Sequence, residues 1–143
     1  MPTNKASAVW TGTLKGGSGE LKGASGSVRG AYTFASRFET GDQTNPEQHL
    51  AAAQAACFSM ALSGALEKNG TPPESVETNA ACTVEKVGDR FSITTITLDV
   101  RARVRGVDEA TFQRLAEETK EGCPVSRALK GNVKMELTAR LES

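Results

Sequence analysis

The clearest structural signal in this sequence comes from residues 45–70, which read NPEQHLAAAQAACFSMALSGALEKNG. Asn45 is a good N-cap, Pro46 suits the first helical position, and Gln48 stands three residues after the cap, as in a capping box. An Asn-Gly pair and then a Pro-Pro pair follow Lys68, and both stop helices. The pattern therefore predicts one helix from Pro46 to about Lys68.

Residues that favour β-structure lie on both sides of this helix. The predicted strands are 8–11, 28–34, 75–86, 91–104 and 133–141. Glycines separate the first strands, residues 36–44 are expected to form a loop, and Gly88-Asp89 is expected to turn a hairpin. Strands clustered around an alanine-rich helix indicate an α+β fold, which we expect to form a single domain over residues 1–143.

A second pair of helices should follow the hairpin. Asp108 is a plausible cap for a helix that ends at Gly122, and Pro124 then opens a short helix through Leu129. Cys123 is therefore the expected N-cap residue, where free backbone N–H groups would favour its thiolate. The alternative is a simple turn in which the cysteine does not react, and the residues leave both readings open.

Composition excludes several classes of partner. Lys plus Arg equals Asp plus Glu at 17 each, whereas a nucleic-acid or anionic-membrane surface needs a basic excess. No uninterrupted apolar run approaches the roughly 18 residues of a membrane span, and the first ten residues lack the apolar stretch of a secretion signal. We therefore expect a cytoplasmic protein with no membrane or nucleic-acid partner.

The cysteines are expected to be free thiols. There are three of them, at 57, 82 and 123, and the chain has one histidine, so neither a disulfide framework nor a zinc site is expected. Cys57 in mid-helix and Cys82 in a strand could each be small core fillers. His49 precedes Cys57 by eight residues, about 12 Å along the helix, which is too far for a base. The permanent charge of Arg37 could instead stabilise a thiolate, although a loop arginine is by default solvated.

Four motifs make the chain resemble the osmotically inducible protein C (OsmC) family, whose relatives include the organic hydroperoxide resistance (Ohr) proteins. In chain order they are Arg37–Gly41, Thr44–Glu47, Ala55–Leu62 and Gly122–Ser126. The match spans nearly the whole chain, and the two cysteine motifs place their cysteines 66 residues apart, in the settings that the family has. The Ohr proteins carry their arginine in an earlier strand region, whereas this chain has none before Arg29, so it resembles the OsmC branch.

The resemblance implies antiparallel sheets wrapped around long central helices, and an intertwined homodimer with two active sites at the subunit interface. The implied activity is that of a thiol peroxidase in oxidative and osmotic stress defence, which reduces organic hydroperoxides and, more weakly, hydrogen peroxide. Cys57 would attack the peroxide, and Cys123 would resolve the resulting sulfenic acid as a disulfide that an external dithiol reopens. Arg37 would hold the thiolate and the peroxide, and Glu47 would orient Arg37. The resemblance implies no metal and no other cofactor.

Helix geometry constrains how these residues could meet. Glu47 and Cys57 are ten residues apart on one helix, about 15 Å along its axis and roughly 80° around it, so one Arg37 could hardly reach both. A twofold axis near Ala52 would bring Glu47 of one chain level with Cys57 of another, and we therefore expect each site to be built from both subunits. The alternative is that the alanines pack under the chain's own sheet.

A second functional hypothesis is a non-enzymatic stress protein that holds a lipid-like ligand.

Overall fold

The computed structural model describes residues 1–39 and 41–142; Thr40, which belongs to the Arg37–Gly41 motif, lies outside them, as does Ser143. The chain divides into two compact units, Met1–His49 and Leu50–Ser143. Both contain strands and helices, which confirms the α+β class. The expectation of one domain over residues 1–143 stays a prediction.

The first unit contains a three-stranded antiparallel sheet in the order β1-β2-β3. Its strands are β1 (Ala6–Thr11), β2 (Ser18–Gly23) and β3 (Arg29–Tyr32). The sequence pattern missed β2, because Leu21 is its one large apolar residue and gives no alternation. The rings of Trp10 and Tyr32 lie 5.5 Å apart between their centroids and join the two outer strands.

The predicted loop at 36–44 is wrong at its start, since a short helix α1 (Phe34–Phe38) follows β3. A reciprocal capping box creates it: Thr33 Oγ1 accepts from the Ser36 N–H at 3.1 Å, and Ser36 Oγ accepts from the Thr33 N–H at 2.8 Å. The predicted strand 28–34 therefore ends early, at Tyr32, and Arg37 lies on a helix instead of a loop.

Helix α2 (Pro46–Lys68) has the predicted bounds. Asn45 Oδ1 accepts from the Gln48 N–H at 2.8 Å, as expected of an N-cap. The capping box is not completed, because the Gln48 side chain accepts instead from Thr44 Oγ1 at 2.8 Å. By length and composition α2 is long and apolar enough to cross a membrane, a criterion that core helices of soluble proteins also meet.

The second unit contains a mixed three-stranded sheet in the order β4-β5-β6. Strands β4 (Pro73–Val87) and β5 (Arg90–Val104) form the predicted antiparallel hairpin, and Gly88 supplies a φ of 66° at its turn. Strand β6 (Lys134–Glu142) pairs with β5 in parallel, so the expected antiparallel pairing holds for the first sheet and for β4 with β5 but not for β6. The reason is that α3 (Glu109–Gly122) and α4 (Pro124–Leu129) form a crossover between them.

A bulge in β5 explains why its apolar alternation is only approximate. Thr83 pairs with Thr95, but Val84 pairs with Ile93, which leaves Thr94 as an extra residue. Beyond the bulge the even-numbered positions from Ile96 to Val104 are buried and the odd-numbered ones between them are exposed.

The core of this second unit lies between α2, β5 and α3. Its fully buried side chains include Phe58, Leu62 and Leu66 of α2, spaced four residues apart on one helix face. Phe112 and Ala116 of α3 join the same cluster, and Asp108 caps α3 as predicted by accepting from the Thr111 N–H at 3.0 Å. This packing orients α2 so that residues beside Phe58 lie close to the start of α4.

Candidate active site

The structure brings together two cysteines that lie 66 residues apart in the chain. Cys57 is on α2 and Cys123 is the N-cap of α4, and each thiol influences the pKa of the other. Both thiols are free, with Cys57 partly exposed and Cys123 only 2% exposed. A peroxide could therefore reach Cys57 first, with the second sulfur already beside it.

Three polar groups surround the Cys123 sulfur. The Ser126 N–H lies 3.5 Å from Sγ, the Ser126 hydroxyl 3.1 Å, and Gln54 Nε2 3.4 Å. Burial on its own would raise the pKa of Cys123, but the hydrogen bonds from Ser126, Cys57 and Gln54 outweigh it, so the pKa lies below its ordinary value. Cys123 is thus prepared to carry negative charge.

Cys57 has the opposite tendency. Burial is the largest influence and raises the pKa of Cys57; the hydrogen bond and charge of Cys123 raise it further, while the backbone N–H of Val125 lowers it in part. Within this pair Cys123 ionises first. A thiolate at Cys123 against a neutral or oxidised Cys57 is the arrangement that disulfide closure requires.

Arg37 and Glu47 form an ion pair within the first unit. Arg37 donates through Nε at 3.1 Å and Nη2 at 2.9 Å, both to Glu47 Oε1. The Glu47 side chain is 6% exposed and that of Arg37 38% exposed. The guanidinium also lies 5.1 Å from the centroid of the Phe38 ring. The carboxylate thereby fixes the orientation of a cation that remains open to solvent.

Sequence reasoning missed Gln54 and Ser126. Gln54 is fully buried, and its Nε2 donates to Ser126 Oγ at 2.9 Å as well as to Cys123. One signal was available: Gln54 interrupts a run of alanines three residues before Cys57, and that spacing puts both on one helix face.

The remaining candidates lie elsewhere. Cys82 is partly buried in β4 and packs against the hydrophobic cluster, in agreement with a core role. His49 Nε2 lies 3.0 Å from Thr44 Oγ1, in the first unit. Among residues 1–39 and 41–142, no three His, Cys, Asp or Glu side chains lie together as metal ligands.

Comparisons with known proteins agree with the motifs. The family model of OsmC-like proteins matches residues 39–138. Peroxiredoxin OsmC of Escherichia coli is 41% identical over 133 residues, covering 92% of this chain and 93% of that protein. An organic hydroperoxide resistance protein of Xanthomonas axonopodis is 36% identical over 100 residues, 68% of each chain. The crystal structure of OhrB from Bacillus subtilis covers 95% of this chain and 98% of its own, with a TM-score of 0.75 and 26% identity.

Proposed function

Because this chain belongs to the family of OsmC-like proteins, we propose that it is a cysteine-based peroxidase in oxidative and osmotic stress defence. Its substrates are organic hydroperoxides and, less efficiently, hydrogen peroxide. The observation that carries the proposal is the pair of free thiols that influence each other's pKa, Cys57 partly exposed and Cys123 buried. Relatives named peroxiredoxin and organic hydroperoxide resistance protein support the same reaction.

The chemistry uses the two sulfurs in sequence. The Cys57 thiolate attacks the terminal peroxide oxygen, the O–O bond breaks, and the leaving alkoxide takes a proton to become an alcohol. Cys57 is now a sulfenic acid. The Cys123 thiolate attacks that sulfur, an S–S bond forms, and hydroxide leaves and is protonated to water. An external dithiol then reduces the disulfide by exchange, which restores both thiols.

Arg37 would supply the positive charge that this first step needs. The pKa of Cys57 is raised in the free chain, so a cation must favour its thiolate when peroxide binds. The guanidinium that Glu47 orients would also stabilise charge on the departing oxygen. We therefore assign Glu47 as the positioning residue for Arg37.

We further propose a cytoplasmic homodimer with active sites at the subunit interface. An apolar stripe along α2 is exposed in the single chain: Ala52, Ala53, Ala56 and Met60, the last of them 81% exposed. Small residues allow two helices to approach closely, and a second copy of α2 would cover this face. Sedimentation over a range of protein concentrations tests the dimer. Full peroxidase activity of a monomer at high dilution would contradict the shared site.

The non-enzymatic alternative, a carrier of lipid-like ligands, is not favoured. It gives no reason for two cysteines from distant segments to lie close enough to influence each other's pKa, whereas disulfide chemistry requires their proximity.

The test follows peroxide loss with cumene hydroperoxide and a dithiol. Cys57→Ser should abolish turnover, and Cys123→Ser should permit one oxidation to a trappable sulfenic acid. Cys82→Ser, which removes the thiol outside the pair, should keep the parent rate and is the matched control. If Cys57→Ser consumes peroxide as fast as the parent protein, Cys57 is not the nucleophile.

A further inference from the structure

Gln54 is an unusual side chain for the interior of an alanine-rich helix. It is 0% exposed, and its Nε2 donates to two acceptors, Ser126 Oγ at 2.9 Å and Cys123 Sγ at 3.4 Å. Its Oε1 is buried and has no hydrogen-bond partner among the described residues. The amide nitrogen of Gln54 is therefore hydrogen-bonded at the cysteine site, whereas its amide oxygen has no partner among the described residues.

This arrangement is costly as a packing solution. A buried amide that keeps one polar atom unpaired loses hydration without replacing it, and an apolar side chain of similar size would avoid this loss. Local violations of this kind concentrate where a function depends on them. The two bonds that Gln54 does make both end at the sulfur-bearing N-terminus of α4.

The bonds form a directed chain toward the sulfur. Because Ser126 Oγ accepts from Gln54, its own proton is free to point at Cys123 Sγ, 3.1 Å away. Gln54 also donates to that sulfur directly. Since Gln54 precedes Cys57 by three residues on α2, the same helix turn carries one sulfur and holds the other.

We infer that Gln54, together with Ser126, is a positioning residue that holds the Cys123 sulfur against Cys57 for disulfide closure. The inference rests on the proposed function, because it assigns these residues to the resolving step. Neither residue touches the peroxide in this role. They set the direction and the charge of the attacking sulfur, while the first oxidation, at Cys57, does not require them.

The step they serve is balanced by the two cysteines alone. The Cys123 thiolate gives its electron pair to the sulfenic sulfur and is oxidised, the S–O bond of Cys57 breaks, and hydroxide leaves with that bond's electron pair. Among the groups that shift the pKa of Cys123 within the described part of the chain, Cys57 is the ionisable one. Loss of the Gln54 or Ser126 donor makes the Cys123 thiolate less favourable.

The experiment separates the two steps in a single turnover. Reduced protein is mixed with one equivalent of cumene hydroperoxide, quenched with acid at set times and analysed by intact mass, which distinguishes the sulfenic acid from the disulfide. Gln54→Met and Ser126→Ala should each slow disulfide closure about tenfold to a hundredfold, the effect of one lost hydrogen bond to a charged sulfur. Sulfenic acid formation should not slow, because a less ionised Cys123 raises the pKa of Cys57 less.

The pH profile distinguishes positioning from loosened packing. In both variants the midpoint of closure against pH should move upward, whereas a purely structural defect would slow closure equally at every pH. Ser59→Ala is the matched control: it removes a hydroxyl of the same helix that bonds Thr78 at 2.7 Å, and should change neither rate nor midpoint.

The outcomes distinguish a wrong role for Gln54 and Ser126 from a wrong function for the protein. Closure rates and midpoints of Gln54→Met and Ser126→Ala that match the parent protein would overturn the inference while leaving the peroxidase intact. Failure of the parent protein to form a sulfenic acid at Cys57 would instead overturn the proposed function. If Gln54→Met does not fold, Ser126→Ala carries the same test.

Discussion

Replacing Arg37 tests whether the buried carboxylate of Glu47 depends on its partner. Arg37→Met keeps an apolar side chain of similar length but removes both donors to Glu47 Oε1. Because Glu47 is only 4% exposed, its charge would lose its partner without gaining full access to water. We expect a clear loss of stability from one substitution on a short helix.

The size of the effect follows from the geometry. Breaking a buried ion pair by removing one partner costs about 3–5 kcal/mol. Two features make the expected loss of stability smaller here. Both bonds end on a single oxygen, and Arg37 is 38% exposed, so water screens its charge. Arg37→Met should therefore lower the free energy of unfolding by about 2 kcal/mol.

A double variant shows whether the loss of stability comes from the Glu47 carboxylate that is left unpaired. Adding Glu47→Leu removes the stranded carboxylate, and apolar replacement of both partners is often neutral. Arg37→Met with Glu47→Leu should therefore be more stable than Arg37→Met alone.

Urea unfolding at one fixed protein concentration measures these differences. With a slope of about 2 kcal/mol per molar urea, Arg37→Met should move the midpoint down by about 1 M. Arg114→Met is the control, since its ion pair with Glu118 is exposed at 58% and 61% and should contribute under about 0.5 kcal/mol. If Arg37→Met unfolds at the parent midpoint, or the double variant is the less stable, Glu47 is not a buried charge held by Arg37.

Three further predictions follow from other parts of the molecule. Phe58→Ala should lower the free energy of unfolding by about 3–5 kcal/mol and Phe58→Leu by about 1, because Phe58 is fully buried; equal losses in urea unfolding would contradict this. The Thr111 N–H lowers the pKa of Asp108, so this cap stabilises the fold above the ordinary pKa and is lost as pH falls through the lowered one. Asp108→Asn should consequently lose less thermal stability on acidification than the parent protein. Melting temperatures that fall equally with pH in both proteins would argue against the cap. Cys123→Ser should lower the pKa of Cys57, because the negative charge of Cys123 that raises it is gone; mass-resolved alkylation against pH measures the shift, and an unchanged profile would show that Cys123 does not influence the pKa of Cys57.

Helix α2 shows what short-range signals predict well. Its start depends on Asn45 and Pro46 and its end on the Asn-Gly pair after Lys68, so all the determining contacts lie within a few residues. The same holds for Cys123 as the N-cap of α4, since Pro124 alone indicates where that helix begins.

Features that depend on distant or reciprocal contacts were not predicted. Helix α1 has only five residues, and a capping box between two small hydroxyl side chains stabilises it against a background that favours strand or loop. The parallel pairing of β6 follows from the crossover through α3 and α4, which no local alternation reveals.

The amino-acid order by itself determined the length of α2, the placement of Cys57 on it and the position of Cys123 at a helix start, because caps and stops act within one turn of the chain. The helix start at Cys123 already indicated a favoured thiolate there, but only the tertiary structure decided that burial raises the pKa of Cys57 beside it and that Gln54 donates to the Cys123 sulfur. The physical reason is that thiol acidity depends on burial and on donors, and Gln54 stands 69 residues from the cysteine it contacts.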